Sequence, residues 1–303
     1  MSAAMLAKRM VQPLRSCKPL SKSLQVEWED GLRAEFPFCW LRDATAKRPA
    51  LVHLDVTTKP ESVHVDGSRD MVTVLWPRLR STYSSTFLRN NAHLDSSDSS
   101  SPGSCAHSTD TVPASRTVLG GKLFLSTHQT PVAPSLVMGQ CEWTSAAQEP
   151  STLWPHLGSV PSLVVIDALQ TGSALCPAQL TLIDSEAALA RLAATNPKEF
   201  EFLRNCELEY TEGPFRAFHP VYELGDDGQV LSTTFNNTTR STSITTKSLE
   251  TLYLSLQKFG RACAEVAQTV NLYPGRRLIV DNRRVLLGAP AQAQRKLLLR
   301  LIG

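Results

Sequence analysis

The stretch that most constrains the fold lies in the last third of the chain and combines β-prone segments with one long helix. Residues 235–240 read FNNTTR, and residues 277–288 read RLIVDNRRVLLG, with a strand at its start. Between them, apolar residues recur at three- and four-residue intervals from Leu249 to Val266, which predicts an amphipathic helix that begins after Ser248. Nineteen prolines and fifteen glycines indicate many turns rather than a helical bundle.

Length, charge and cysteine content narrow the class of protein. The 303 residues, 42% of them hydrophobic, are enough for one large or two smaller domains. A net charge of +3 does not indicate a polyanionic partner, so we predict no nucleic-acid binding. No apolar run approaches the ~18 residues of a membrane span, so we predict no membrane insertion. Seven scattered cysteines without a C-x2-C pair indicate a reducing compartment rather than a disulfide framework.

The first ninety residues contain an internal repeat. Residues 26–36 predict a hairpin around an Asp-Gly turn, and WLRD follows at residues 40–43. Residues 74–83 repeat the strand that ends in Trp, and FLRN follows at residues 87–90. In each copy an aromatic-Leu-Arg-acid/amide tetrad follows the Trp after eleven or twelve residues. We therefore predict a small β-rich domain over residues 24–93.

Composition changes sharply after this domain. Residues 94–157 are rich in Ser and Pro and include SSDSSSPGS at residues 96–104, which predicts a largely disordered linker. The apolar runs at residues 161–169 and 179–184 then predict two buried strands. Two helices follow, the second starting at Asn196, and a second hairpin is expected around the Asp-Gly turn that precedes residues 229–235.

These motifs resemble the gamma-butyrobetaine and trimethyllysine dioxygenases, which hydroxylate carnitine precursors with Fe(II) and 2-oxoglutarate. The resemblance covers the N-terminal repeat, the FNNTTR segment with the helix after it, and the strand that ends in DNRRVLLG. It implies a β-rich α+β fold: a small β N-terminal domain plus a partial double-stranded β-helix (jelly-roll) with packing helices over residues 158–303. The first half of the family's catalytic domain has no recognisable counterpart.

The resemblance also places the iron ligands, and the triad is incomplete. Such a site needs two His and one carboxylate, supplied in the family by H-x-D and by the His of an LHG sequence. Here His156-Leu157-Gly158 aligns with the first motif, and Leu287 stands at the second His. His156 is the only remaining candidate metal ligand, the alternative being an ordinary loop histidine. We assign no catalytic residue and expect the chain to be inactive.

Cosubstrate and substrate residues follow from the same resemblance. Arg295 is the nearest match to the arginine that binds 2-oxoglutarate, although a basic C-terminal tail explains it equally well. Asn236, Asn237 and Arg240 are candidates for binding a trimethylammonium amino acid, with turn-forming amides as the alternative. The family's N-terminal zinc is expected to be lost, because WLRD is not followed by the cysteines that would bind it.

Three readings of the whole chain remain open. It is a hydroxylase of the carnitine pathway with a degraded site, a non-catalytic relic that binds a partner as a homo-oligomer or together with an active paralogue, or the product of a truncated gene model. Residues 1–23 are basic and free of acids, which is typical of a mitochondrial transit peptide. We expect a mitochondrial protein, and otherwise a cytoplasmic one with a basic tail.

Overall fold

The chain folds into a β-rich α+β structure, as the sequence predicts. The computed structural model describes residues 12–45, 48–92, 124–126, 137–144, 148–169, 177–244, 248–289 and 296–302. Within those ranges, antiparallel strands outnumber helices. None of the helices found there combines the length and the apolar character that crossing a membrane requires.

The N-terminal part consists of two structurally similar units, which confirms the repeat. The first unit contains β1 (Leu14–Pro19), β2 (Ser23–Trp28), β3 (Arg33–Pro37) and α1 (Phe38–Asp43). The second contains β4 (Ser62–Val65), β5 (Met71–Trp76), β6 (Leu79–Ser84) and α2 (Ser85–Asn90). Each unit is a three-stranded antiparallel sheet followed by a short helix that carries the tetrad. The predicted Asp-Gly turn joins β2 to β3, with Gly31 at φ 87°, a conformation that favours glycine.

The two units pack against each other through two equivalent contacts. In each contact the tetrad arginine of one unit lies over the tryptophan of the other unit. The tetrad arginine of the first unit, Arg42, lies over the ring of Trp76 in the second, 5.9 Å from its centroid. Arg89 of the second unit lies over Trp28 of the first at 5.6 Å. A cation over an indole face is worth ~0.5–2 kcal/mol depending on its exposure. These two contacts hold the two units of the repeat together.

Two larger sheets form the C-terminal part. The five-stranded sheet has the order β7-β17-β10-β19-β8, and the four-stranded sheet has the order β16-β11-β18-β9. Their strands are β7 (Phe124–Ser126), β8 (Val137–Thr144), β9 (Gln148–Ser151), β10 (Leu163–Ala168), β11 (Ala178–Asp184), β16 (Gln268–Leu272), β17 (Arg277–Asp281), β18 (Val285–Ala289) and β19 (Lys296–Ile302). Their facing sides share one aliphatic cluster, which gives the predicted jelly-roll packing.

The sheets are more complete than the sequence predicts. β7, β8 and β9 all lie within residues 94–157, which the sequence analysis assigns to a linker. β8 pairs with β19 and β9 pairs with β18, so each adds an edge strand to its sheet. The other residues of the predicted linker that precede β8 lie mostly outside the described ranges, and the domain boundaries themselves stay a prediction.

Helices and hairpins cover the outer side of the four-stranded sheet. The segment between β11 and β16 contains α3 (Ser185–Thr195), α4 (Pro197–Arg204), β12 (Glu207–Glu212), β13 (Phe215–Pro220), β14 (Tyr222–Leu224), β15 (Val230–Thr233) and α5 (Leu249–Val266). Because side chains alternate along a strand, Leu182 of β11 faces the space between the sheets, whereas Ile183 faces the helices. A second hydrophobic cluster lies on this outer side of the sheet. It contains Ile183, the predicted apolar stripe of α5 and the apolar residues of the N-terminal units. The helix therefore binds the two parts of the chain together.

Candidate functional site

The segment that follows β9 is the place where the resemblance puts the first iron ligands. Thr152 donates its backbone N–H to the carbonyl of Phe235 at 2.7 Å. The next residue, Leu153, donates to Asn282 Oδ1 at 2.9 Å and accepts from Asn282 Nδ2 at 2.9 Å. Trp154 has a φ of 55°, which is uncommon for a residue with a side chain. The FNNTTR and DNRR motifs therefore fix this segment rather than leave it loose.

His156 is buried beneath the tip of the β12–β13 hairpin. Only 6% of its surface is exposed, and its ring lies 6.1 Å from that of Phe215. Its Nδ1 is 3.0 Å from Glu212 Oε2, but the two groups are not aligned as a hydrogen bond. Nearby, a ring nitrogen of His219 lies 3.1 Å from the carbonyl oxygen of Leu157. The hairpin tip thus covers the imidazole and places a carboxylate against one of its nitrogens.

The other two expected ligand positions carry no metal-binding group. A Cβ at Gly158 would meet no heavy atom within 4 Å, so the position is open and lacks only a side chain. Leu287 is 1% exposed and belongs to the aliphatic cluster between the sheets. Over the described ranges, no set of three His, Cys, Asp or Glu side chains could hold a metal ion. These residues do not fit the iron triad.

The predicted substrate residues Asn236 and Asn237 are buried, and their amides are engaged with the protein. Asn236 donates to the Thr152 carbonyl at 3.1 Å and accepts the backbone N–H of Thr238 at 3.0 Å. Asn237 donates to Glu149 Oε2 at 3.1 Å. Both amides connect residues 235–240 to β9 or the segment after it. Their role in substrate binding stays a prediction, and the contacts that are present hold the backbone.

The third predicted substrate residue, Arg240, lies at the centre of a buried charge network. Its Nη2 donates to Asp43 Oδ1 at 2.8 Å, and both side chains are fully buried. Asp43 Oδ2 accepts from the Tyr253 hydroxyl at 2.8 Å, and Arg48 Nε lies 3.3 Å from Oδ1. Among the described residues, none accepts a hydrogen bond from Arg240 Nε or Nη1. The WLRD tetrad therefore meets the FNNTTR segment directly.

In this network the carboxyl group stays deprotonated, the Arg240 guanidinium stays protonated and the phenol stays neutral. Burial by itself raises the pKa of Asp43, but the charges of Arg240 and Arg48 outweigh it and hold that pKa below its ordinary value. Burial lowers the pKa of Arg240, but Asp43 outweighs it and the pKa is raised. Burial and the Asp43 charge both raise the pKa of Tyr253, so its hydroxyl stays protonated and can donate. The network is a carboxylate held by two guanidinium groups and a phenol.

Arg48 and Tyr253 could not be singled out from the sequence, because their roles depend on partners that are distant in the chain. Asp43 and Arg240 are 197 residues apart. One signal was present: the first tetrad ends in an acid, whereas the second ends in Asn90, which is exposed. A charge that is kept in only one copy of a repeat marks the copy that faces another element.

The remaining predicted sites are only partly described. Arg295 lies outside the described residues, so its link to 2-oxoglutarate stays a prediction. At the expected zinc site, Cys39 is buried, and burial raises the pKa of its thiol to about 12. Residues 12–23 of the predicted transit peptide include β1, which pairs with β2. A peptide removed after import would therefore have to end before Leu14, and the mitochondrial location stays a prediction.

The fold and these sites define a β-rich α+β protein with a two-sheet jelly roll and an N-terminal repeat. No protein-family model matches the chain. The chain is 27% identical to human gamma-butyrobetaine dioxygenase over 118 residues, which is 35% of this chain and 30% of the relative. The enzyme of Pongo abelii gives the same values. The resemblance predicted from the sequence is thereby confirmed as a weak similarity, and the matched stretch spans less than a third of these relatives.

Solved structures with partial similarity to this chain include two oxygenases. A taurine dioxygenase from Burkholderia xenovorans is 14% identical with a TM-score of 0.43, covering 54% of this chain and 61% of its own. PvcB, an Fe, alpha-ketoglutarate-dependent oxygenase from an isonitrile synthetic pathway, is 17% identical with a TM-score of 0.41, covering 57% and 65%. At these TM-scores the fold assignment rests on the sheets and their shared aliphatic cluster.

Proposed function

We propose that this chain is a non-catalytic relative of the gamma-butyrobetaine and trimethyllysine dioxygenases, which acts by binding a partner. The observation that carries the proposal is Leu287, a fully packed core residue at the position of the second histidine. An aliphatic side chain at that position cannot coordinate a metal ion, and among the described residues no other group of three His, Cys, Asp or Glu side chains could hold one. The jelly-roll architecture is kept, while the chemistry that needs iron has no ligand set.

The surroundings of Leu287 favour a leucine over a histidine at this position. In β18 it lies opposite Leu182 of β11, and both side chains belong to the cluster between the sheets. A His there would bury polar nitrogens among aliphatic groups, which costs ~1–3 kcal/mol when they have no partner. The leucine instead adds to the core. The side chain at position 287 is therefore part of the packing that holds the two sheets together.

The second candidate function is hydroxylation of a trimethylammonium amino acid in carnitine biosynthesis. Two observations favour it: the similarity to gamma-butyrobetaine dioxygenase, and the retention of His156 at the expected place after β9. Arg240 Nε and Nη1 make no hydrogen bond within the described residues and are donors of the kind that pairs with a carboxylate, but a substrate could reach them only if this fully buried side chain became exposed. This function requires a ligand set other than His156, Gly158 and Leu287.

An assay of the purified chain separates the two functions. With Fe(II), 2-oxoglutarate and either gamma-butyrobetaine or trimethyllysine, we expect no succinate above the level without enzyme. Succinate formed in proportion to a hydroxylated product would contradict the non-catalytic proposal. If the same activity survived in His156→Ala, the expected position of the site would be wrong as well.

Restoring the ligands tests whether the assigned positions are correct. We expect Gly158→Asp combined with Leu287→His to bind Co(II), used as an air-stable probe, at least ~10-fold more tightly than the unmodified chain. A Cβ at Gly158 would meet no heavy atom within 4 Å, so a side chain can be introduced at this position. The matched control combines Gly158→Asp with Leu299→His, because Leu299 is equally buried in the same cluster. Equal binding by both double variants would show that Leu287 does not stand at a ligand position.

A further inference from the structure

The β13 strand presents an unpaired edge. β12 and β13 form a two-stranded sheet, and no other strand in the described part of the chain pairs with β13. The hairpin closes with the pair Glu212 and Phe215 across a two-residue turn, in which Gly213 has a φ of 58°. In such a hairpin the closing pair exchanges both hydrogen bonds, and so does every second pair after it. Arg216 and Phe218 therefore direct their N–H and C=O groups away from β12.

Two large apolar side chains of this strand are strongly exposed, with the charged Arg216 between them. The exposed fractions are 57% for Phe215 and 54% for Phe218, the two highest among the large hydrophobic residues described. The guanidinium of Arg216 lies over the ring of Phe218, 5.8 Å from its centroid. Natural edge strands are usually protected by charge, by Pro or by a covering element. This edge carries Pro220 at its end and one charge, Arg216, which is already paired with Glu209 of β12. The outward main-chain groups of Arg216 and Phe218 therefore stay available as a template for another strand.

The sequence of β13 is complementary to itself when it is run antiparallel. With Ala217 opposite Ala217 of a second copy, Arg216 lies opposite Phe218, and Phe215 lies opposite His219. Each guanidinium then meets an aromatic face, the contact that Arg216 already makes within its own strand. The outward backbone groups of Arg216 and Phe218 meet in this register as hydrogen-bonded pairs. No like charges face each other.

We propose that β13 pairs antiparallel with β13 of a second copy of this chain and so forms a continuous four-stranded sheet across a two-fold axis. Neighbouring registers fit less well. Moving the axis to Arg216 sets two guanidinium groups opposite each other, and moving it to Phe218 sets Arg216 opposite Pro220, which lacks an N–H. Strand addition of this kind uses main-chain hydrogen bonds for affinity and side-chain pairs for register.

The pairing would act on the segment that covers His156. The tip of the hairpin, with Glu212 and Phe215, lies over that imidazole, while the free edge of β13 faces away from β12. A second copy would thus hold the cover in place from outside. The pairing does not depend on the absence of iron, so failure of one proposal leaves the other intact.

Sedimentation of the full chain tests the pairing. We expect a monomer–dimer equilibrium, and we expect Phe218→Lys to raise its Kd at least ~10-fold, because two lysines would face two Arg216 side chains across the axis. The matched control is Leu231→Lys, which places the same charge at another exposed apolar residue on β15. A chain that is monomeric at 100 µM, or a dimer that both variants weaken equally, would overturn the proposal.

Hydrogen exchange of the unmodified chain gives a second test that needs no variant. The backbone N–H groups of Arg216 and Phe218 should exchange at least ~10-fold more slowly in concentrated than in dilute protein, because each is bonded only in the dimer. The N–H of Ala217 is bonded within the hairpin and serves as the internal control. Rates at Arg216 and Phe218 that do not change with concentration would refute pairing through β13, even if a dimer forms elsewhere.

Discussion

Asp43→Asn is the substitution that most directly tests how the two parts of the chain are held together. The side chain is fully buried and accepts hydrogen bonds from Arg240 Nη2 and the Tyr253 hydroxyl, each at 2.8 Å. Asparagine has the same shape but no charge, so the fully buried guanidinium of Arg240 and the partly buried one of Arg48 would lose this counter-ion. Removing one member of a buried ion pair costs ~3–5 kcal/mol. This is a large share of the ~5–15 kcal/mol that stabilises a typical domain.

Urea unfolding followed by circular dichroism measures the effect. With a slope of roughly 3 kcal/mol per M for a chain of this size, the midpoint should fall by about 1–2 M. The matched control is Asn90→Ala, which changes the same position of the other tetrad, where the side chain is exposed. That variant should stay within ~0.5 kcal/mol of the unmodified chain, as surface substitutions usually do.

A double-mutant cycle shows whether the cost belongs to the pair. Arg240→Met should also destabilise the chain, but the variant with both changes should lose less than the sum of the two, since neither member of the Asp43–Arg240 pair then remains without the other. We expect a coupling free energy of about 1–3 kcal/mol. Additive effects, or an Asp43→Asn cost below ~1 kcal/mol, would show that the network does not join the N-terminal units to the jelly roll.

The remaining predictions concern acid stability and the packing of the repeat. Because the pKa of Asp43 is lower in the folded chain than its ordinary value of 3.8, its stabilising contribution is present above about pH 4 and is lost as the pH falls through the folded pKa. The difference in unfolding free energy between the unmodified chain and Asp43→Asn should therefore shrink below pH 4, and a constant difference down to pH 2 would contradict this. Ser85 is fully buried and accepts from Trp28 Nε1 at 2.9 Å, so Ser85→Ala should cost ~1–3 kcal/mol by thermal unfolding. An equally small change in Ser85→Ala and in the exposed Ser68→Ala would show that this contact between the units contributes little.

Local pattern determined those elements whose cause is local. The Asp-Gly turn between β2 and β3, the two Trp-to-tetrad repeats and the stripe of α5 were predicted correctly, since each depends on a turn residue or on a hydrophobic period within one segment. The similarity to gamma-butyrobetaine dioxygenase was also recognisable from short motifs. The sequence therefore determined the fold class and the repeat, and it predicts that Leu287 departs from the LHG motif of the gamma-butyrobetaine and trimethyllysine dioxygenases.

Tertiary structure decided what depends on distant partners. β8 and β9 lie in a stretch whose composition favours disorder, and they are strands because β19 and β18 offer them an edge to pair with. Asp43 and Asn90 end similar tetrads, yet only Asp43 meets Arg240, because only the first tetrad faces α5 and the FNNTTR segment. Local sequence fixes which residues can form a strand or a helix, but burial and charge pairing depend on groups that folding brings together across some two hundred residues.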